Sequence, residues 1–462
     1  MCGLRPDIWR QPPCWACKAD AFYKWATIRD LRWLGETLLV VLGTKCLVTV
    51  RGRATGRFPS YSFASTLNRS SRVSYSLNGV AHGETKIMNV DDPPWTEFIT
   101  AAYEVDGPER QARAQAERIC LDQTIEGEAD LLPPPLRATI VGRLEKVQPL
   151  TSGRYVASIR YAGDLLGREC SDLLNLLFGT SSLRSDVRLL SFTLTKGLLS
   201  SWRGPRYGMN AIRQAVGVSD RPLVCAVLKP LGRTPNELGA LATQFVQGGV
   251  DLIKDDQGLL DQPFCPFQER VAYCAEAIAT GSVRRGRPCL YYAHVSGALD
   301  SMRERAAQAK ALGVTGLLVA PGLTGFDALR TLALDETLAL PIASHPSLLG
   351  SFVSRGGLAP QVVYGLLPRL AGADMSIYPS FDTGYVMSKD DCVSVAVSCR
   401  QSWDHIRPTM PSVGGRMGPD RIAELVQSLG RDVIFVLGSR IQQDQRGVVA
   451  AIQEFQQVVA AS

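Results

Sequence analysis

The sequence predicts an α/β protein, a C-terminal (β/α)8 TIM barrel preceded by a smaller α+β domain of ferredoxin-like type. Three observations carry this. Eight short apolar runs begin near residues 223, 250, 289, 316, 340, 373, 407 and 432, each followed by a helix-compatible stretch. Their spacing of 24 to 39 residues suits one strand and one helix per unit. Residues 89–205 instead mix strand and helix patterns without regular alternation. Finally, the apolar run 250–253 stops abruptly in Lys254, Asp255, Asp256 and Gln257, the pattern of a buried parallel strand with a polar carboxyl end.

In chain order, residues 1–87 read as a basic extension, disordered or a misassigned start, with Met88 as the true first residue. They carry 13 Lys and Arg against 5 Asp and Glu, and four of the seven tryptophans. Cys14 and Cys17 have redox-motif spacing but no βαβ context, and no second pair completes a zinc site. Residues 88–205 form the α+β domain. Strands are expected at 98–105, 137–147, 154–161 and 187–195, and helices at 108–121 and 170–178. The barrel spans 206–462, with helices at 235–247, 266–279, 300–312, 325–338, 359–371, 388–406, 418–429 and 444–459. A doubly wound sheet would need a glycine-rich turn after its first strand, and Leu231-Gly-Arg-Thr-Pro supplies none.

The net charge of +6 resides in the extension, since the other residues hold 37 basic and 39 acidic groups. The near-neutral body excludes a nucleic-acid footprint, and no apolar run is long enough to span a membrane. Cysteines in apolar runs (Cys225, Cys274, Cys289) fit a reduced, cytoplasmic protein.

Barrel sites lie at the carboxyl ends of the strands, so the strand ends nominate the site. Lys229 ends the first strand and Lys254, Asp256 and Gln257 the second. The third carries His294 and the fifth His345. Gly414 and Gly415 follow the seventh, and Gly438 and Ser439 the eighth. Asp256 and Gln257 offer oxygen ligands to one Mg2+. A buried, neutral Lys254 could add carbon dioxide and become a carbamate ligand. Backbone amides at Gly414, Gly415, Gly438 and Ser439 suit a phosphate. Together they suit a phosphorylated keto sugar, with the ion stabilising an enediolate and Lys229 as base.

Lys229-Pro230, the Gly248-Gly249-Val-Asp-Leu-Ile-Lys254-Asp255-Asp256 run, Gln262-Pro263-Phe264 and Gly414-Gly415 resemble the RuBisCO large-chain superfamily. So do Gly204-Pro205 and the run ending in Gly179. The resemblance covers about residues 89–462. It implies that Lys254 is carbamylated and holds magnesium with Asp256 and Gln257, and that Lys229 is the enolising base. It also implies a homodimer or higher homo-oligomer, with Asp122 contributed across the interface.

Departures point to a RuBisCO-like, form IV type protein that enolises without fixing carbon dioxide. Carboxylases have glutamate at Gln257, a second lysine at Leu231, arginine at Pro346, histidine at Tyr378 and serine at Val413. Their lysine after strand six has no counterpart in the Tyr378-Pro-Ser-Phe-Asp-Thr-Gly-Tyr run. Known activities in that branch are enolisation or isomerisation of methylthio-pentulose phosphates, and decarboxylation of a branched 3-oxo sugar-acid phosphate. Two other functions stand beside this one: a metal-free Schiff-base lyase using Lys229 or Lys254, and a non-catalytic barrel kept for interaction.

Overall fold

A computed structural model describes residues 95–462, apart from 152, 354 and 355, together with strands Thr37–Val41 (β1), Cys46–Arg51 (β2) and Ile87–Asn89 (β3). The chain divides into two compact units, Met1–Pro94 and Trp95–Ser462. In the first, β2 pairs antiparallel with both β1 and β3. The domain boundary expected at residue 88 falls inside β3. The remainder of the extension, including Cys14 and Cys17, lies outside the described residues.

The second unit opens with an antiparallel sheet of Phe98–Asp106 (β4), Arg143–Thr151 (β5), Arg154–Ala162 (β6) and Val187–Leu194 (β7), in the order β5-β6-β4-β7. Strict alternation in β4 buries Ile99, Ala101, Tyr103 and Val105. Helices Glu109–Asp122 and Cys170–Phe178 supply the apolar residues that complete this core. One expected strand segment is helical. Residues 137–140 belong to helix Pro134–Ile140, because prolines 133 to 135 preset φ for a first turn. Asp327, from the barrel, accepts the amide N–H groups of Cys170 at 2.7 Å and Ser171 at 2.8 Å, so it caps a helix of the smaller domain.

All eight expected barrel strands are present. They are Leu223–Leu228 (β8), Leu252–Asp255 (β9), Leu290–His294 (β10), Gly316–Val319 (β11), Ile342–Ser344 (β12), Met375–Pro379 (β13), Met410–Gly414 (β14) and Ile434–Leu437 (β15). They pair in parallel, and β15 closes onto β8. Their side chains divide into two layers. Cys225, Val227, Leu252, Tyr292, Ala343 and Val436 fill the barrel interior. The alternate residues Ala226, Leu228, Ile253, Tyr291 and Ala293 pack outward against the helices. Helix Gly208–Val216, which the sequence reading did not anticipate, adds Ile212 and Val216 to the interior cluster beside Leu223 at the amino end.

Candidate active site

The two-residue strand period decides which chemistry-bearing side chains face the barrel interior. Val227 points inward, and so does Lys229 two residues on. Leu252 leads to Lys254 and Asp256, Tyr292 to His294, and Ala343 to His345. Register agrees, with Lys254 standing between Val227 of β8 and Tyr292 of β10. The sequence-nominated groups on four strands therefore converge on the carboxyl-end mouth.

Asp256 is the hub of the charged groups. Its Oδ2 lies 3.1 Å from Lys229 Nζ, and its Oδ1 accepts the Gly258 amide at 3.0 Å. Lys254 is 2% exposed and donates from Nζ to the Asp255 carbonyl at 2.9 Å. Burial lowers the basicity of its amine, opposed chiefly by neighbouring Cys225 and Asp256. Gln257 is exposed. With its amide assigned from hydrogen bonding, the nitrogen donates to Asp256 Oδ1 at 3.2 Å and Oδ2 at 3.3 Å. Its carbonyl is thus turned from the carboxylate, and metal ligation requires the amide to rotate.

The two histidines differ in role. His294 is fully buried. Its Nδ1 lies 3.2 Å from the Leu259 carbonyl, which can only accept, so that nitrogen carries the proton. Nε2 then accepts from the Ser296 hydroxyl at 2.8 Å, while Ser296 Oγ accepts the Ala320 amide at 2.8 Å. Burial lowers the His294 pKa to about 4, so the ring is neutral and ties together the turns after β9, β10 and β11. His345 accepts the Ser347 amide at Nδ1, 3.2 Å away. Nε2 therefore bears its proton and has no partner among the described residues. Burial holds this ring neutral as well, with the nearby Lys254 charge acting the same way.

Behind the mouth stands a network that sequence reasoning missed. Asp255 points outward, opposite in sense to its neighbours, and is fully buried. It accepts from Arg270 Nε at 3.3 Å, Tyr291 Oη at 2.8 Å and the His294 amide at 3.0 Å. Arg270, also fully buried, extends Nη1 to the Leu260 carbonyl at 2.8 Å. The signal was present in the run of two aspartates: the strand period gives them opposite faces, so only one can belong to the mouth.

At the far side, Gly414 ends β14, and Gly415 follows with φ +109°, where a Cβ would come within 3.2 Å of Thr383. No backbone carbonyl among the described residues accepts from the amides of Gly415 or Gly438. Ser439 begins the short helix Ser439–Gln442. Two positions compared with carboxylases face elsewhere. Tyr378 and Val413 pack in the outer layer, with Tyr378 Oη bonded to the Cys392 carbonyl at 3.4 Å. Ile377 and Ser412 occupy the inward places. Asp122, expected at a subunit interface, is paired within its own chain with Arg118 at 2.7 Å and Arg184 at 3.7 Å.

The family model for the catalytic domain of the ribulose bisphosphate carboxylase large chain matches residues 208–462. This chain belongs to the RuBisCO large-chain family. It is 32% identical over 348 residues to a 5-methylthioribulose-1-phosphate isomerase of Rhodospirillum rubrum, covering 75% of this chain and 92% of that protein. It is 28% identical over 370 residues to a 2,3-diketo-5-methylthiopentyl-1-phosphate enolase of Exiguobacterium sibiricum, covering 79% and 93%. The crystal structure of a Rubisco-like protein from Rhodopseudomonas palustris superposes with a TM-score of 0.71 at 31% identity, covering 79% of this chain and 98% of that one. Among the described residues, no helix is long and apolar enough to cross a membrane. The RuBisCO-like fold and the inward set of lysines, carboxylate and histidine thus coincide in one barrel.

Proposed function

We propose that this RuBisCO-like chain enolises a phosphorylated keto sugar by moving a proton beside a carbonyl, and does not fix carbon dioxide. The convergence of Lys229, Lys254, Asp256 and His345 on one inward face carries this reading. Lys229 is the partly exposed amine of the set, placed by Asp256 to take the α-carbon proton. His345, neutral and protonated on Nε2, donates a hydrogen bond to the oxygen on which negative charge develops. The amides of Gly415, Gly438 and Ser439 receive the phosphate, whereas that of Gly414 belongs to the ladder with β13. The relatives named as a 5-methylthioribulose-1-phosphate isomerase and a 2,3-diketo-5-methylthiopentyl-1-phosphate enolase support this reading.

Among the described residues, no cluster of three His, Cys, Asp or Glu could hold a metal ion. A divalent ion at this mouth therefore depends on Lys254 becoming an anion. Its burial and lowered basicity fit that conversion to a carbamate. One magnesium would then be held by carbamylated Lys254, Asp256 and a rotated Gln257, supplying Lewis-acid polarisation of the substrate carbonyl.

Exposed apolar side chains on the turns around the mouth, Leu231, Leu323, Leu348, Phe352, Tyr385 and Val386, support a substrate with an apolar tail such as a methylthio-pentulose phosphate. The same rim would serve a homodimer, in which Asp122 would have to share its two arginines with the partner. Solvent deuterium exchange at the α carbon of 5-methylthioribulose 1-phosphate and related phosphorylated ketoses tests the reading. Exchange that is lost in Lys229→Met supports it, and absence of exchange with every ketose sinks it. Trapping of a substrate adduct by borohydride would favour the Schiff-base alternative.

A further inference from the structure

Arg416 directly follows the two glycines after β14, and its backbone lies in the left-handed region at φ 42°. A long side chain is rarely found there, since the Cβ crowds the following carbonyl. Such positions persist where the surrounding structure imposes them, and they cluster at ligand sites. The charge of Arg416 is also unspent. Arg440 pairs with Asp420 at 3.2 Å, Lys389 with Glu424 at 3.2 Å, and Arg421 donates to the Phe381 carbonyl at 2.9 Å. Arg233 reaches Gln442 Oε1 at 3.4 Å. Arg416 makes no ion pair or hydrogen bond among the described residues. Its Nη2 sits 4.0 Å from where a Cβ on Gly384 would lie, so the guanidinium spans from the turn after β14 to the loop after β13. That loop's base is fixed by buried Phe381, flanked by the Arg421 guanidinium at 4.9 Å and the Lys389 ammonium at 5.8 Å.

An exposed cation with no partner among the described residues therefore follows directly on Gly415, whose amide no backbone carbonyl accepts from. We propose that Arg416 is a substrate-binding residue that closes a bidentate guanidinium contact on the phosphate seated at these turns, a deepening that rests on the phosphate reading above. The left-handed backbone serves that contact by directing the side chain across the turn. Substrates ending in a dianionic phosphate are favoured over their unphosphorylated forms through this residue.

The test measures inorganic phosphate binding by titration and by thermal shift, on the full chain, for wild type, Arg416→Lys and Arg416→Gly. Wild type is expected to bind phosphate. Arg416→Gly should bind about tenfold more weakly, the loss of one charge-assisted partner. Arg416→Lys should fall between them, because the charge survives and the fork does not. Without phosphate, Arg416→Gly should melt no lower than wild type, because glycine accepts the left-handed backbone freely. Equal phosphate affinity in wild type and Arg416→Gly overturns the proposal, as does wild type that binds no phosphate. A fall in melting temperature with affinity unchanged would assign Arg416 a structural role instead. α-Proton exchange is measured separately: exchange without an Arg416 effect on phosphate fails this proposal alone, and phosphate binding without exchange fails only the enolisation reading.

Discussion

Lys229 Nζ stands 3.1 Å from Asp256 Oδ2, on adjacent strands whose register sets Val227 beside Lys254. The pair links the proposed base to the Asp256 carboxylate. Lys229→Met removes the base and leaves that carboxylate without its cation. Exchange of the substrate α proton should fall by about 10²- to 10⁴-fold, the usual contribution of a positioned base. A loss confined to KM would show that Lys229 binds without transferring the proton.

Gln257 is neutral where a third anion would strengthen a magnesium site. Gln257→Glu should tighten magnesium binding, measured by calorimetry in the presence of bicarbonate. Unchanged or weaker affinity would remove Gln257 from the ligand set.

Arg270 and Asp255 are both fully buried and bonded to each other. Arg270→Met leaves an uncompensated carboxylate behind the mouth, at a cost of about 3–5 kcal/mol of unfolding free energy in chemical denaturation. A loss below about 1 kcal/mol would mean that water or another group reaches Asp255.

His294 has its pKa lowered to about 4 by burial, against 6.5 for the ordinary side chain. The unfolded chain therefore binds more protons between those values. The stability that this residue contributes is present above pH 6.5 and is lost as pH falls towards 4. The shift corresponds to roughly 3 kcal/mol at its full extent. Unfolding curves across that window should be less steep in pH for His294→Gln than for wild type. Identical slopes would show that the ring charges without cost.

The barrel was legible because parallel strands covered on both faces read as unbroken apolar runs, such as 223–228 and 434–437. Lys229, Lys254, Asp256 and His345 were legible as polar ends to those runs. Contacts distant in sequence were not. Nothing local to Asp255 indicates Arg270 or Tyr291, and the seating of His294 depends on Leu259 and Ser296. The facing of Tyr378 and Val413 was not visible without strand register, since a shift of one residue reverses every side chain. Residues 137–140, the end of helix Pro134–Ile140, read as strand because so few residues show no helical period of their own.

Metal-assisted enolisation at this mouth requires the buried amine of Lys254 to become an anion that completes a magnesium site over the substrate. Carbon-13 NMR of the protein with labelled bicarbonate and magnesium tests this most directly, with Lys254→Arg as the control. A carbamate resonance in wild type that is absent from Lys254→Arg is the predicted result. Wild type that enolises its substrate in a magnesium-dependent way with no carbamate resonance would contradict it.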